Sequence, residues 1–232
     1  MSPRRQQERS KASNRQALDA ALELFSSHGF GATTMRQIAD RSGLSMGNLY
    51  HHFPNKESMF KRLLQEYWDR LLDPDHPLQR HFARAGFPED LEDMVDEIEK
   101  AVEDNSAYIL LIYVDVVEFR GEHIRAFYEG MASRFQDLYG AKLAERQATG
   151  ELGDNVDPLV GVIFATRWFF YYFTVEKCFG APMHFGMDSR QATTEFIRLL
   201  RYGLLPRNSP SPQPTGLKTD LKLTPQTQAD GT

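Results

Sequence analysis

Between Thr33 and Lys56 the chain reads TTMRQIADRSGLSMGNLYHHFPNK, a stretch rich in groups that donate and accept hydrogen bonds. Arg36 carries a planar guanidinium and Asn48 an amide with donor and acceptor side by side. Thr34, Ser45 and Tyr50 add hydroxyls, His51 and His52 ring nitrogens, and Lys56 an ammonium. Such groups recognise surfaces. From Ser45 to about Phe53 the spacing predicts a short helix whose Leu49 points inward with Leu44 and Phe53. Its other faces hold Ser45, Met46, Gly47, Asn48, Tyr50, His51 and His52. A short polar helix with small residues at its start is a poor core element. It suits the major groove of DNA, which admits one α-helix. An enzyme is not expected: H-E-x-x-H and a G-x-G-x-x-G phosphate loop are absent, and Cys178 sits beside an aromatic run rather than a basic site.

The elements that position these groups are marked locally. Met35, Ile38 and Ala39 fall at i, i+3, i+4 and give a first helix one apolar face. Thr34 and Gln37 have the spacing of a capping box at its start. Gly43 stands where a left-handed stop is needed, a conformation glycine adopts without a Cβ clash. Ser45 then caps the second helix and Pro54 ends it. Two short helices about a tight turn make a helix-turn-helix, with the second as recognition helix.

Thr33-Thr34, Ile38-Ala39, Gly43-Leu44-Ser45, Leu49-Tyr50-His51-His52-Phe53 and Asn55-Lys56-Glu57 together resemble the signature of the TetR family of transcriptional regulators, over about residues 12–65. Carried over position by position, the resemblance implies that Arg36 and the early residues of the recognition helix face the bases. An arginine fork matches guanine O6 and N7, the Asn48 amide suits adenine, and Met46 suits a thymine methyl. Gly47 permits close approach of the backbone. Thr34, Ser45, Tyr50, His52 and Lys56 are implied phosphate contacts, which set register without reading sequence; His51 fits either role. Family members often carry a lysine or another polar residue near Met46 and Gly47, and that departure leaves the operator sequence open.

Charge divides along the chain. Residues 1–62 hold ten Lys/Arg against five Asp/Glu, +5, and the remainder seventeen against twenty-seven, −10. A basic head that meets phosphates and an acidic body that does not are expected. The single cysteine, Cys178, forms no intramolecular disulfide and suits a reducing cytoplasm. The longest purely apolar run, Ala107 to Val114, is far too short for a bilayer, and MSPRRQQERSK lacks the apolar segment of a secretion signal. A cytoplasmic protein, nucleoid-associated when bound to its operator, follows, with no membrane partner.

The chain is expected to be all-α. Residues 1–11 are basic and polar, either a disordered terminus or an arm along the DNA backbone. A helix over 12–28 packs Leu18, Ala21, Leu22 and Phe25 on the helix-turn-helix. Asn55 caps a connecting helix to about Leu72, which Asp73-Pro74-Asp75-His76-Pro77 breaks. Helices follow over 89–105, 122–148, 158–179 and 189–205. SAYILLIYVDVVEF, 106–119, fits a buried strand by composition, but helices on both sides and no second strand to pair with make a buried helix the expected form. These boundaries give a DNA-binding domain over 12–56, an effector-binding and dimerisation domain over 57–206 with 57–72 as connecting helix, and a Pro-rich disordered tail over 207–232.

Six consecutive aromatics, Trp168 to Phe173, go right round a helix, so burial on every side is expected, against its own domain and a partner subunit. In the family the last two helices form a four-helix dimer interface. Phe169, Phe173, Phe196, Ile197, Leu200 and Leu204 are the residues expected there. Tyr108, Tyr113, Phe119, Phe127, Tyr128, Trp168 and Tyr172 are candidates for an effector pocket, since pockets are mostly apolar with a few placed polar groups. Asp115, Glu118 and Arg167 are charges within apolar stretches, paired with each other or aimed at an effector. The resemblance thus implies a repressor that binds a palindromic double-stranded DNA operator as a homodimer, without cofactor or metal, and is released by a small, largely apolar molecule. The alternative is a helix-turn-helix protein without an effector, an architectural or division factor.

Overall fold

The computed structural model describes residues 3–84, 86–153 and 156–202, and these contain helices and no strand. In chain order they are α1 (Pro3–His28), α2 (Met35–Ser42), α3 (Met46–His52), α4 (Lys56–Leu71), α5 (Pro77–Arg84), α6 (Leu91–Asp104), α7 (Ser106–Phe119), α8 (Arg125–Glu129), α9 (Met131–Ala148), α10 (Pro158–Phe173) and α11 (Ser189–Tyr202). A single π turn, Thr174–Cys178, extends α10. The head, α1–α3, and the body built around α6 and α10 are joined by α4, and their buried apolar residues form one continuous core.

Local signals set the head. Thr34 and Gln37 form the complete capping box at the start of α2. Gly43 ends that helix at φ 70°, and Ser45 and Asn55 cap α3 and α4 through the amides of Asn48 and Ser58. Each side-chain cap contributes about 1 kcal/mol, enough to phase helices this short. Packing stabilises the head more than the caps do. Phe25, Phe30 and Phe60 meet edge-on or tilted with centroids 5.5 to 5.7 Å apart, and Ile38 and Leu49 are fully buried. Burying each such side chain is worth roughly 1.5–3 kcal/mol.

Several boundaries differ from the sequence expectations. The arm at 1–11 is not irregular where it is described: α1 begins at Pro3 and runs unbroken to His28. Pro3 stands at the first helical position, where a missing N–H costs nothing, and no glycine or further proline intervenes before Gly29. Residues 106–119, by contrast, are helix, the reading their surroundings favoured, and pack against α1 and α4. The single helix expected over 122–148 is split into α8 and α9 at Gly130. Residues 203–232, which include Leu204 and the Pro-rich tail, lie outside the described residues.

Asp115, Glu118 and Arg167 do not pair with one another. Asp115 is fully buried and accepts hydrogen bonds from the backbone amides of His123 and Ile124, both at 3.3 Å, and lies 2.5 Å from His123 Nδ1. A buried carboxylate is tolerated when its lone pairs are satisfied in this way. The arrangement fixes the α7–α8 corner, where Arg120 and Gly121 adopt positive φ. By length and composition Pro158–Cys178 is apolar enough to cross a membrane. Its Phe169, Tyr172 and Phe173 are nevertheless buried against protein, and α10 packs on α6, α9 and α11 as a central core helix.

Candidate DNA interface and body cavity

One surface of the head carries the candidate DNA groups. Thr34, Arg36, Ser45, Met46, Gly47, Tyr50 and His51 are exposed, and Asn48 and His52 are half-buried. Arg36 makes no hydrogen bond or ion pair among the described residues, so its fork is unencumbered. Thr34 and Ser45 already serve as caps: Thr34 Oγ1 accepts from Gln37 N at 3.2 Å, and Ser45 Oγ from Asn48 N at 3.2 Å. Lys56 is turned inward. Its Nζ donates to the carbonyls of Phe30 and Thr33, at 2.7 and 2.9 Å, and lies 4.2 Å over the Phe30 ring. Arg41, which the sequence did not single out, ties α2 to α1 through both carboxylate oxygens of Glu23 at 2.6 and 2.8 Å.

The turn between α1 and α2 is held from the body as well. Glu118, in the last turn of α7, accepts from the amides of Phe30 and Gly31, at 2.8 and 2.5 Å. Phe119 packs 4.6 Å from Phe30 and 5.1 Å from Phe60. A carboxylate on the turn's N–H groups and an ammonium on its carbonyls satisfy polar backbone that no helix pairs. Replacing Glu118→Ala is expected to raise amide exchange several-fold across 29–33 while Leu49 and Phe53 keep their protection. Unchanged exchange at 29–33 would show that the carboxylate adds nothing there.

The body holds a half-open cavity of about 1080 Å³, at the upper end of the usual range for small-molecule sites. Tyr67, Trp68 and Leu71 of α4 and Ile109, Ile112, Tyr113 and Val116 of α7 line it. So do Phe127 and Tyr128 of α8, Met131, Arg134 and Leu138 of α9, and Thr166, Arg167, Trp168 and Tyr171 of α10. Tyr113, Phe127, Tyr128 and Trp168 are at the wall, and Tyr108, Phe119 and Tyr172 are not. Tyr108 is buried and stacks on Tyr67 at 5.8 Å with Arg70 over its ring. Phe119 belongs to the head–body contact, and the Tyr172 hydroxyl donates to Glu176 at 2.9 Å. Burial pushes the phenols of Tyr113 and Tyr128 above the usual tyrosine range, so both stay neutral donors. It likewise pushes the Cys178 thiol up to about 11, which leaves it a poor nucleophile.

The expected dimer residues are placed differently. Phe169, Phe173 and Ile197 are buried inside the protomer, at 0%, 1% and 6% exposure. Phe196 is half-buried and stacks on Trp168 at 3.8 Å, and Leu200 is also half-buried. The solvent-facing apolar side of α10 is Val160, Phe164 and Tyr171, with Arg167 between the last two, and Leu199 and Tyr202 are exposed on α11. The aromatic run is thus not covered all round within one chain, since Tyr171 is 60% exposed.

Known proteins share this architecture and sequence. The profile described as "Bacterial regulatory proteins, tetR family" matches residues 17–63, the head and the start of α4. The transcriptional repressor KstR2 of Rhodococcus jostii (strain RHA1) is 31% identical over 162 residues, covering 66% of this chain and 77% of that protein. The crystal structure of the MbdR regulator from Azoarcus sp. CIB superposes with a TM-score of 0.57 over 84% of this chain and all of that one, at 21% identity. A TetR/AcrR-family regulator from Thermobifida fusca superposes with a TM-score of 0.53 over 83% and 98% of the two chains, at 24% identity. With the helix-turn-helix in place on an all-helical body, this chain belongs to the tetR family of bacterial regulatory proteins, and it is a DNA-binding regulator of transcription.

Proposed function

We propose that the protein is a repressor that binds a palindromic operator as a homodimer and is released when a largely apolar small molecule fills the body cavity. The observation that carries this is the shared ownership of two helices. α4 begins at the head with Lys56 and ends at the cavity wall with Leu71. α7 lines the cavity through Val116 and, two residues on, holds the head's α1–α2 turn through Glu118. A ligand that favours one tilt of these helices changes the spacing of two paired heads, and by linkage DNA disfavours that ligand by the same factor. Residues 12–56 act as the reading unit and 57–206 as the sensing and dimerising unit. Arg36 and Asn48 are the base readers, with Met46, Gly47 and His51 against the groove floor. Thr34, Ser45, Tyr50 and His52 follow phosphates, and Lys56 shapes the turn from inside. The partner protomer docks on the α10 stripe of Val160, Phe164 and Tyr171. The name of the KstR2 relative, a repressor, agrees in sign.

The test is an operator-release assay with a panel of apolar ligands, read beside the fluorescence of Trp68 and Trp168, which both line the cavity. A coupling of about 1–3 kcal/mol gives roughly 5–150-fold release. Ile112→Trp fills the cavity from a half-buried wall position and is expected to abolish release while leaving operator affinity within about twofold. A ligand that binds the cavity tightly and leaves operator affinity unchanged would refute the gating.

A further inference from the structure

The cavity wall is mostly apolar, and its charged residues among those described, Arg134, Asp137 and Arg167, sum to a positive charge. Arg134 and Arg167 both line the cavity, and neither has an ion-pair partner among the described residues. Arg134 donates one hydrogen bond to the Phe127 carbonyl, and its Cζ lies 4.7 Å over the Phe127 ring. Arg167 Cζ lies 5.4 Å over the Tyr128 ring, and its remaining contact is a weak one to Met131 sulfur at 3.6 Å. A guanidinium laid on an aromatic face keeps its charge and leaves N–H groups free, the geometry that grips a carboxylate or phosphate oxygen pair. Asp137 is the one acid among the described wall residues, beside two arginines. This local excess is opposite in sign to the body, which carries −10 from residue 63 onward. A second polar feature sits along the same wall. Trp68 Nε1 is buried without a hydrogen-bond partner, and the Trp68 ring stacks on Phe127 at 3.8 Å.

We infer that the cavity takes an anionic amphiphile: a large apolar body with one carboxylate or phosphate monoester head, the head gripped by Arg134 and Arg167. A neutral apolar ligand would cover both guanidiniums and give them no partner, at the cost of their hydration. A cationic one would meet like charge. The anionic head alone gains charge-assisted hydrogen bonds while its chain fills the apolar remainder. This rests on the cavity being the effector site.

The test uses the full-length protein and four ten-carbon probes below their micelle concentrations: decanoate, decyl phosphate, decanol and decyltrimethylammonium. Binding is read by calorimetry and tryptophan fluorescence, and release on operator DNA. At least one anion is expected to bind about tenfold or more tightly than decanol, with the cation weakest. The Arg134→Gln/Arg167→Gln double variant is expected to bind anion and alcohol alike, losing the anion's advantage while decanol binds no more weakly than before. The two anionic arms identify the head group. Decanol binding as tightly as either anion, or a double variant that keeps the preference, overturns the anion assignment. If decanol then still releases operator, the effector function of the cavity survives. If no probe binds, or if Ile112→Trp fails to block those that do, the cavity assignment falls with it.

Discussion

Raising monovalent salt from about 50 to 200 mM is expected to weaken operator binding by ~10³–10⁵-fold, with log affinity falling linearly against log salt. The size follows from the distribution of charge. The first 62 residues carry +5 and a dimer presents two such heads. Thr34, Ser45, Tyr50 and His52 are placed by caps and packing on one surface with the unpaired Arg36. The helical extension of α1 back to Pro3 adds Arg5 and Lys11, both exposed. Roughly six to ten neutralised phosphates per dimer release that many counterions, which sets the slope. Within this frame Arg36→Ala and Asn48→Ala should cost about 1–3 kcal/mol each on the operator and little on random DNA. Lys56→Ala should act otherwise. Its ammonium bridges the carbonyls of Phe30 and Thr33, so the loss should appear as head stability more than as a smaller salt slope. An operator affinity that ignores salt would remove DNA phosphates from the account altogether.

Phe164→Glu is expected to give a folded monomer with operator affinity lowered by about 10²–10⁴-fold. Phe164 is 63% exposed in the protomer, midway along the apolar stripe of α10, so the substitution leaves the core untouched. Across a two-fold axis each copy would meet its own charge, desolvated and without a partner. Separated heads then bind half-sites one at a time, and the lost effective concentration accounts for the stated range. Sedimentation velocity and operator titration measure the two effects, with helical content checked by circular dichroism. A Phe164→Glu protein that stays dimeric and binds fully would move the interface elsewhere. Charge at Phe169 or Phe173 gives no such information, because both are internal and their replacement would damage the protomer.

The head was legible in the sequence because its determinants are short-range. A capping box, a left-handed glycine and an N-cap act over three or four residues, and Thr34–Gln37, Gly43, Ser45 and Asn55 all do in space what their spacing requires. Amphipathic phasing likewise revealed the inward faces of α1 and α2, with Leu18, Ala21, Phe25, Ile38 and Ala39 buried. The all-α class followed from the same periodicity, with α7 decided by its neighbours. The start of α1 and the break at Gly130 were missed because glycine is tolerated inside helices and a polar run gives no phase.

The body was decided by tertiary structure. A helix apolar all round, as α10 is over Trp168–Phe173, contains no sequence information about which side faces its own core. Phe169 and Phe173 turned inward and Tyr171 outward through packing against α6, α9 and α11. The cavity wall gathers Trp68, Tyr113, Phe127, Arg134 and Trp168 from five helices, a convergence that no local period encodes. The partners of the charges were equally non-local. Glu118 meets amides 87 and 88 residues away, and Lys56 meets carbonyls 23 and 26 residues away. Local sequence thus determined the DNA-reading surface, because capping and helix phase are set by neighbours along the chain. Only the fold determined the cavity and its link to that surface, because those depend on which distant faces are brought into contact.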